Sequence, residues 1–263
     1  MPQKPLRRPA FTPIELIALL GLLLLFVAFL APIAARVRES AARTQSINNM
    51  KQICLAVHNF ASVYNKLPPG TGECDFVKKT GTIYLFMLPF IEQDQLYRQA
   101  TDAVWDNDVW SKPIAVLLDP RDHSGPPGNV YQGWLATTNY AANYMVFVEN
   151  KAKFMLANIP DGTSNTIAFV TRYQMCDSAP TAWGYPSSYT WAPLAAYYNQ
   201  SLPQFSLRDE PCDPQRAQSI NSAMLVGICD GSVRTVSSRI TAVTWRNAYD
   251  PADGMPLGPD WDF

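Results

Sequence analysis

The sequence predicts an α+β fold: one long amino-terminal helix packed on a small antiparallel sheet, with loop-rich insertions between the strands. Three observations carry this. Residues 11–66 read as one uninterrupted helix. Residues 223–228, the pair Asp230-Gly231 and residues 233–236 have the pattern of a hairpin, two short apolar strands around a favoured turn pair. The 22 prolines concentrate after Tyr64, which suits short strands and irregular connections better than a helical bundle.

Composition sets the bounds. A chain of 263 residues has room for one medium domain and an appendage. Hydrophobic residues make up 48% and charged residues 16%, which excludes a disordered chain and supplies apolar surface for a core. A net charge of −1 leaves no basic field to neutralise a run of phosphates, which argues against nucleic acid as a partner.

The helix begins behind a basic leader. Lys4, Arg7 and Arg8 precede residues 11–35, which are apolar but for Thr12 and Glu15. A secretory signal has a shorter apolar region, of about 7–15 residues, whereas residues 16–35 contain no charge. At about 1.5 Å per residue that run covers a hydrocarbon core of about 30 Å. The basic residues on its amino-terminal side put Met1 in the cytoplasm and the chain beyond Ala35 across the membrane. Arg36, Arg38 and Arg43 on the far side oppose this orientation, and Glu39 partly offsets them. A carboxylate in a span costs about 2.5–3.5 kcal/mol at mid-membrane and less near an end. Glu15 therefore either reaches headgroup water or serves a contact that offsets its burial.

The string Arg8-Pro9-Ala10-Phe11-Thr12-Pro13-Ile14-Glu15-Leu16 resembles the type IV prepilin processing signal. The resemblance implies cleavage between Ala10 and Phe11 by a prepilin peptidase, methylation of the new amino terminus at Phe11, and an assembly role for Glu15 as the fifth residue of the mature chain. It also puts Pro32 where pilin helices carry a kinking proline. Ala10 stands where the family usually has Gly, and Pro13 where it usually has Leu. Ala is small enough for cleavage, and Pro13 falls in a first helical turn, where its missing N–H costs nothing.

Past the span, Ile47, Met50, Cys54, Val57, Ala61 and Tyr64 form one apolar stripe at helical spacing, ended by Leu67-Pro68-Pro69-Gly70. The expected organisation is thus a leader over 1–10, a transmembrane helix over 11–35, its amphipathic continuation over 36–66 and a periplasmic globular domain over 67–263, in a pilin-like arrangement. Within that domain residues 88–97 read as a short helix with Pro89 at its start. Residues 137–144 give no assignment. Pro160-Asp161-Gly162-Thr163-Ser164 is a turn, followed by a β-prone run over 166–170. A last helix is expected over 241–249, closed by Pro251.

Six ordered strings widen the resemblance: Asn48-Asn49-Met50-Lys51-Gln52-Ile53, Leu67-Pro68-Pro69-Gly70, Leu88-Pro89-Phe90-Ile91-Glu92-Gln93, Asn139-Tyr140-Ala141-Ala142-Asn143-Tyr144, Asp161-Gly162-Thr163-Ser164-Asn165-Thr166 and Asp230-Gly231-Ser232-Val233-Arg234. In these the chain is similar to bacterial proteins that join a prepilin-type amino terminus to a carboxy-terminal domain of unknown function, sometimes labelled solute-binding-like. Asp230 and Gly231 form the family's turn motif. Two departures stand out: Ile220 occupies the position of the family's usual His, and Asp119-Pro120-Arg121-Asp122 replaces its frequent Cys-Pro-Ser-Asp.

Little in the chain suggests catalysis. His58 and His123 are the two histidines, and no Gly-x-Ser-x-Gly, Cys-x-x-Cys, His-Glu-x-x-His or phosphate-binding loop occurs. Asp250, Asp253, Asp260 and Asp262 crowd the carboxy terminus without the spacing of a calcium loop. No metal or cofactor is expected. Trp183, Tyr185, Tyr189, Trp191, Tyr197 and Tyr198 form a dense aromatic interval that either fills a core or lines a solute or glycan site. Five cysteines leave at least one unpaired. Cys176 and Cys212, both in polar, turn-rich segments on the exported side, are the expected disulfide pair, and Cys229 in its apolar strand reads as a buried thiol.

The functional expectation is a pseudopilin and not an enzyme: a single-pass inner-membrane subunit that joins other pilin-like subunits in a type II secretion or type IV pilus-like assembly, with the lipid bilayer as its resting partner. The rival from another class is a membrane-anchored extracytoplasmic module that binds a solute or polysaccharide, which needs neither leader cleavage nor Glu15.

Overall fold

The computed structural model describes residues 13–150, 154–186, 190–195, 201–205, 211–220 and 223–261, less the side chains of 27–35 and 223. The chain divides into two compact units, Met1–Ala42 and Arg43–Phe263. Helix α1, Pro13–Tyr64, is one element of 52 residues that continues through Pro32. In the first unit it is apolar on every side. Ile14, Ile17, Leu22, Leu24 and Leu25 are each at least two-thirds exposed, and Leu16, Leu19, Leu20, Leu23 and Phe26 are more than half exposed. Among the described residues no helix is long and apolar enough to cross a membrane. Nearly half of the uncharged run over 16–35 lies in the positions whose side chains are undescribed.

In the second unit α1 is amphipathic. Ser46, Asn49, Met50, Ile53, Cys54, Ala56, Val57 and Phe60 are buried, whereas Ile47, Ala61 and Tyr64 lie only partly covered at the border. The buried face is therefore rotated toward Asn49, Ile53 and Phe60 relative to the stripe expected from the apolar residues alone, because two polar residues belong to it.

The chain then forms a hairpin of β1 (Thr71–Cys74) and β2 (Lys79–Thr82), followed by α2 (Ile83–Met87), a 3-10 turn over Leu88–Ile91 and α3 (Asp94–Gln99). This corrects the single helix expected over 88–97. Glu92 takes a left-handed conformation at φ 62°, which ends the 3-10 turn, and the helical region begins earlier, at Ile83. All five residues of α2 are buried, so it has no polar face from which a period could be read.

After a second hairpin, β3 (Val130–Tyr131) with β4 (Leu135–Ala136), come β5 (Tyr140–Asn143) and β6 (Ile167–Thr171), the small hairpin of β7 (Met175–Cys176) and β8 (Ala179–Pro180), β9 (Leu194–Ala195), β10 (Ala223–Ile228), β11 (Val233–Ser237) and α4 (Ala242–Tyr249). The main sheet has the order β11-β10-β6-β5-β9, antiparallel except for the parallel pair of β5 and β9. The β-prone run, the last hairpin and the last helix lie where the sequence puts them. Thr241 caps α4, its side chain accepting from the Thr244 N–H.

Side chains alternate across this sheet. Leu225 and Phe169 pack with Met50, Ile53, Phe60 and the α2 residues on one face, while Met224, Val226 and Val170 pack with Trp245 and Tyr249 of α4 on the other. The second unit is thus a sheet held between the last turns of α1 and α4.

Candidate functional site

Ala10 and Phe11 lie outside the described residues. Glu15 lies in the first turn of α1. Pro32 lies within α1, its side chain outside the description. In the second unit the predicted residues gather where α1 meets the sheet.

Asp230 and Gly231 form the tip of the β10–β11 connection. Gly231 has φ +88°, a conformation an L side chain rarely adopts, and its N–H donates to the Ile228 carbonyl at 2.9 Å. Burial pushes the Asp230 carboxyl up, but hydrogen bonds from Ser232 and Ser164 and the charge of Arg234 outweigh it and hold the group below the usual carboxylate range. The turn abuts α1. His58 Nε2 lies 3.0 Å from the Cys229 carbonyl, and the Cys229 N–H donates to Thr166 at 2.9 Å, so His58, the turn and the segment before β6 are fastened together. Cys54, His58, Phe169 and Cys229 border an apolar cavity of about 10 Å³. At that size it admits at most one water, and its apolar lining offers that water no hold. Burial pushes the Cys54 thiol up to about 12 and raises Cys229 well above the ordinary thiol range. Both thiols are therefore poor nucleophiles at neutral pH.

One turn earlier on the same helix face lies a buried polar cluster. Ser46 Oγ donates to Asp119 Oδ1 at 2.6 Å, and Asn49 Nδ2 to the Leu118 carbonyl at 2.8 Å. Arg121 forms a bidentate ion pair with Asp119, Nε to Oδ1 at 2.9 Å and Nη2 to Oδ2 at 2.6 Å, with the Asp119 side chain 0% and the Arg121 side chain 6% exposed. Asn139, ahead of β5, accepts from the Asp119 N–H and donates to Asp122 Oδ2, which also accepts from the Gln174 N–H. The segment over 119–122 is thus a staple between α1 and the sheet. The sequence flagged Asp119, Arg121 and Asp122 only as a departure from the family pattern, and nothing in it pairs them with Ser46.

The other candidates serve elsewhere. Cys176 and Cys212 are joined by a disulfide, with Cα atoms 5.4 Å apart, and Cys54, Cys74 and Cys229 are buried free thiols. Trp183 is fully buried, its indole N–H donating to the Lys112 carbonyl at 2.9 Å. Tyr189, Tyr197, Tyr198 and Asp262 lie outside the described residues. Asp250 and Asp253 each accept an N–H two residues on, from Ala252 and Met255. Hydrogen bonds from Thr244 and Thr241 hold the Asp260 carboxyl below its ordinary range at the start of α4.

Sequence reasoning missed Arg172. It is fully buried on β6–β7 and donates to the carbonyls of Ala192, Leu194, Thr190 and Pro214. Burial pulls its guanidinium down to about 10.

A family model described as a protein of unknown function, DUF1559, matches residues 35–113. The match takes in the second half of α1, the β1–β2 hairpin, α2 and α3, and leaves the leader string and the Asp230-Gly231 turn outside it. No curated protein and no solved structure matches the chain.

Proposed function

We propose that the chain is a membrane-anchored pilin-like subunit of the pseudopilin kind, processed by a prepilin peptidase and assembled with other pilin-like subunits in a type II secretion or type IV pilus-like machine. The observation that carries the reading is the character of α1. A single helix is apolar on every side over residues 14–26 and amphipathic over 46–60, and the change follows a leader string of prepilin type. A helix apolar all round is suited to lipid or to a bundle of its own kind, and one with a single apolar face to a globular core. Both environments are needed by a subunit that rests in the inner membrane and carries its globular part on the periplasmic side.

The family picture assigns Glu15 a charge-assisted contact with the amino terminus of Phe11 on a neighbouring subunit, strengthened where the dielectric is low. Protein purified from its native membrane is expected to begin at N-methylated Phe11 by mass spectrometry. Intact Met1 would remove the main support. Glu15→Leu is expected to enter the membrane at least as well as the parent and to be lost from crosslinked oligomers. Undiminished assembly of that variant would leave Glu15 an interfacial residue only.

A further inference from the structure

Six aromatic rings form a surface ribbon on the globular unit that neither the core nor the pilin-like reading uses. Trp105 and Trp110 approach with centroids 6.5 Å apart, and Trp110 and Trp134 with centroids 5.1 Å apart. A second triad joins Tyr131 to Trp191 at 5.5 Å and Trp191 to Tyr185 at 5.4 Å. The β3–β4 hairpin carries one ring of each triad, since Tyr131 ends β3 and the Trp134 N–H donates to the Tyr131 carbonyl at 3.2 Å across Gly133 at φ +80°. The triads also meet at Gly184, which passes Trp110 so closely that a Cβ there would stand 2.6 Å from the Trp110 Cβ, and Tyr185 follows it directly. Trp105 is 44% exposed and the other five rings are half-buried.

We infer that this ribbon is a binding site for a single chain of a neutral polysaccharide. Every member is Trp or Tyr, a flat apolar face with an N–H or O–H on its edge, and a sugar ring is the matching ligand, with a C–H face and a hydroxyl rim. Large aliphatic side chains, which would build the core of a protein interface, are exposed elsewhere, at Leu55, Val63, Val243 and Met255. Hydrogen-bonding groups lie along the rings: Gln132 Nε2 donates to the Tyr131 hydroxyl, and the Asn107 side chain stands on the loop between Trp105 and Trp110. The ion pairs among the described residues, Arg98 with Asp94 and Arg121 with Asp119, involve none of the six, so the surface is built for an uncharged ligand. Neighbouring rings are inclined by 49–78°. Such a surface grips a flexible chain and cannot lie flat on a crystalline polymer.

The test uses the full chain in a detergent without a sugar headgroup, titrated with cellohexaose, laminarihexaose and maltohexaose by calorimetry and tryptophan fluorescence. At least one hexamer is expected to bind saturably, about tenfold more weakly to Trp105→Ala and to Trp134→Ala, and with unchanged affinity to Phe76→Ala, an exposed ring outside the ribbon. Trp105, the most exposed ring, gives a variant whose fold is least at risk. Microcrystalline cellulose is expected to retain no protein. Binding of none of the hexamers overturns the inference, as does equal weakening by Phe76→Ala. If the hexamers fail and Trp105→Ala instead reduces oligomer crosslinking, the ribbon is a subunit contact and the inference is also overturned. Binding is measured on the purified chain whatever its amino terminus, so failure here is distinct from failure of the pilin-like reading.

Discussion

Gly227 on β10 faces Cys54 on α1 so closely that a Cβ at position 227 would stand 2.5 Å from the Cys54 Sγ and 3.1 Å from the Met50 Sδ. The sheet and the helix touch there with no side chain between them, and the register of β10 against β6 shifts at the same residue. Gly227→Ala is expected to destabilise the globular unit by about 1–3 kcal/mol through overpacking. Adding Cys54→Ala should recover part of the loss, because it removes the atom that would be struck. Denaturant unfolding of the single and double variants measures the coupling. Additive losses would mean that the two positions do not meet.

The buried thiols make stability depend on alkaline pH. An unfolded cysteine ionises at a pH of about 8.5, whereas burial holds Cys54 at about 12 and Cys229 well above its ordinary value. The native state keeps protons that the unfolded state releases. The thiols' contribution is therefore full below about pH 8.5 and is lost as pH rises toward 12, by up to about 1.4 kcal/mol per pH unit for each. Unfolding curves between pH 8 and 10 are expected to show this decline, and the Cys54→Ala, Cys229→Ala double variant to show less of it. Above pH 10 the buried Tyr84, Tyr140 and Tyr249, also raised by desolvation, add to the slope in both proteins.

Removing one partner of the buried pair strands the other. Arg121→Met leaves the Asp119 carboxylate enclosed with Ser46 and backbone donors alone, at an expected cost of about 3–5 kcal/mol. Adding Asp119→Leu should cost less than the sum of the two single changes, since no charge is then stranded. Thermal melts of the three variants decide it, and strict additivity would remove the staple from the account.

Cys176 and Cys212 enclose a sequence separation of 36 residues. Replacing both by Ala is expected to lower stability by about 2–4 kcal/mol. Peptide mapping without reduction should recover the pair as one linked species, with Cys54, Cys74 and Cys229 alkylated only after denaturation. Alkylation of Cys176 in the native, unreduced protein would contradict the bridge.

What could be read from the sequence were the elements with a local signature. Residues 223–236 announce a hairpin by their turn, α4 by Thr241 and Pro251, and α1 by its length. The buried face of α1 was displaced because Ser46 and Asn49 look solvent-facing until Asp119 and the Leu118 carbonyl arrive from some seventy residues away. The parallel pairing of β5 with β9 and the gathering of Trp105, Trp134 and Tyr131 arise only from tertiary placement, which no local period encodes. The aromatic interval over 183–198 was conspicuous by density, yet its Trp183 is core, and two of the three described tryptophans that neighbour one another on the ribbon lie far upstream.

Arg172 also imposes an order of events on the growing chain. Its guanidinium, at the end of β6, satisfies its donors on Thr190, Ala192, Leu194 and Pro214, all later in the sequence. Enclosing a charged group before those carbonyls exist would cost several kcal/mol. The end of β6 therefore stays hydrated until at least residue 214 has emerged, and β10, which must pair with β6, emerges later still. Vectorial synthesis or export thus delivers a half-built sheet, with apolar strand faces uncovered, and the interval before Pro214 appears is when this protein most needs a chaperone's shelter.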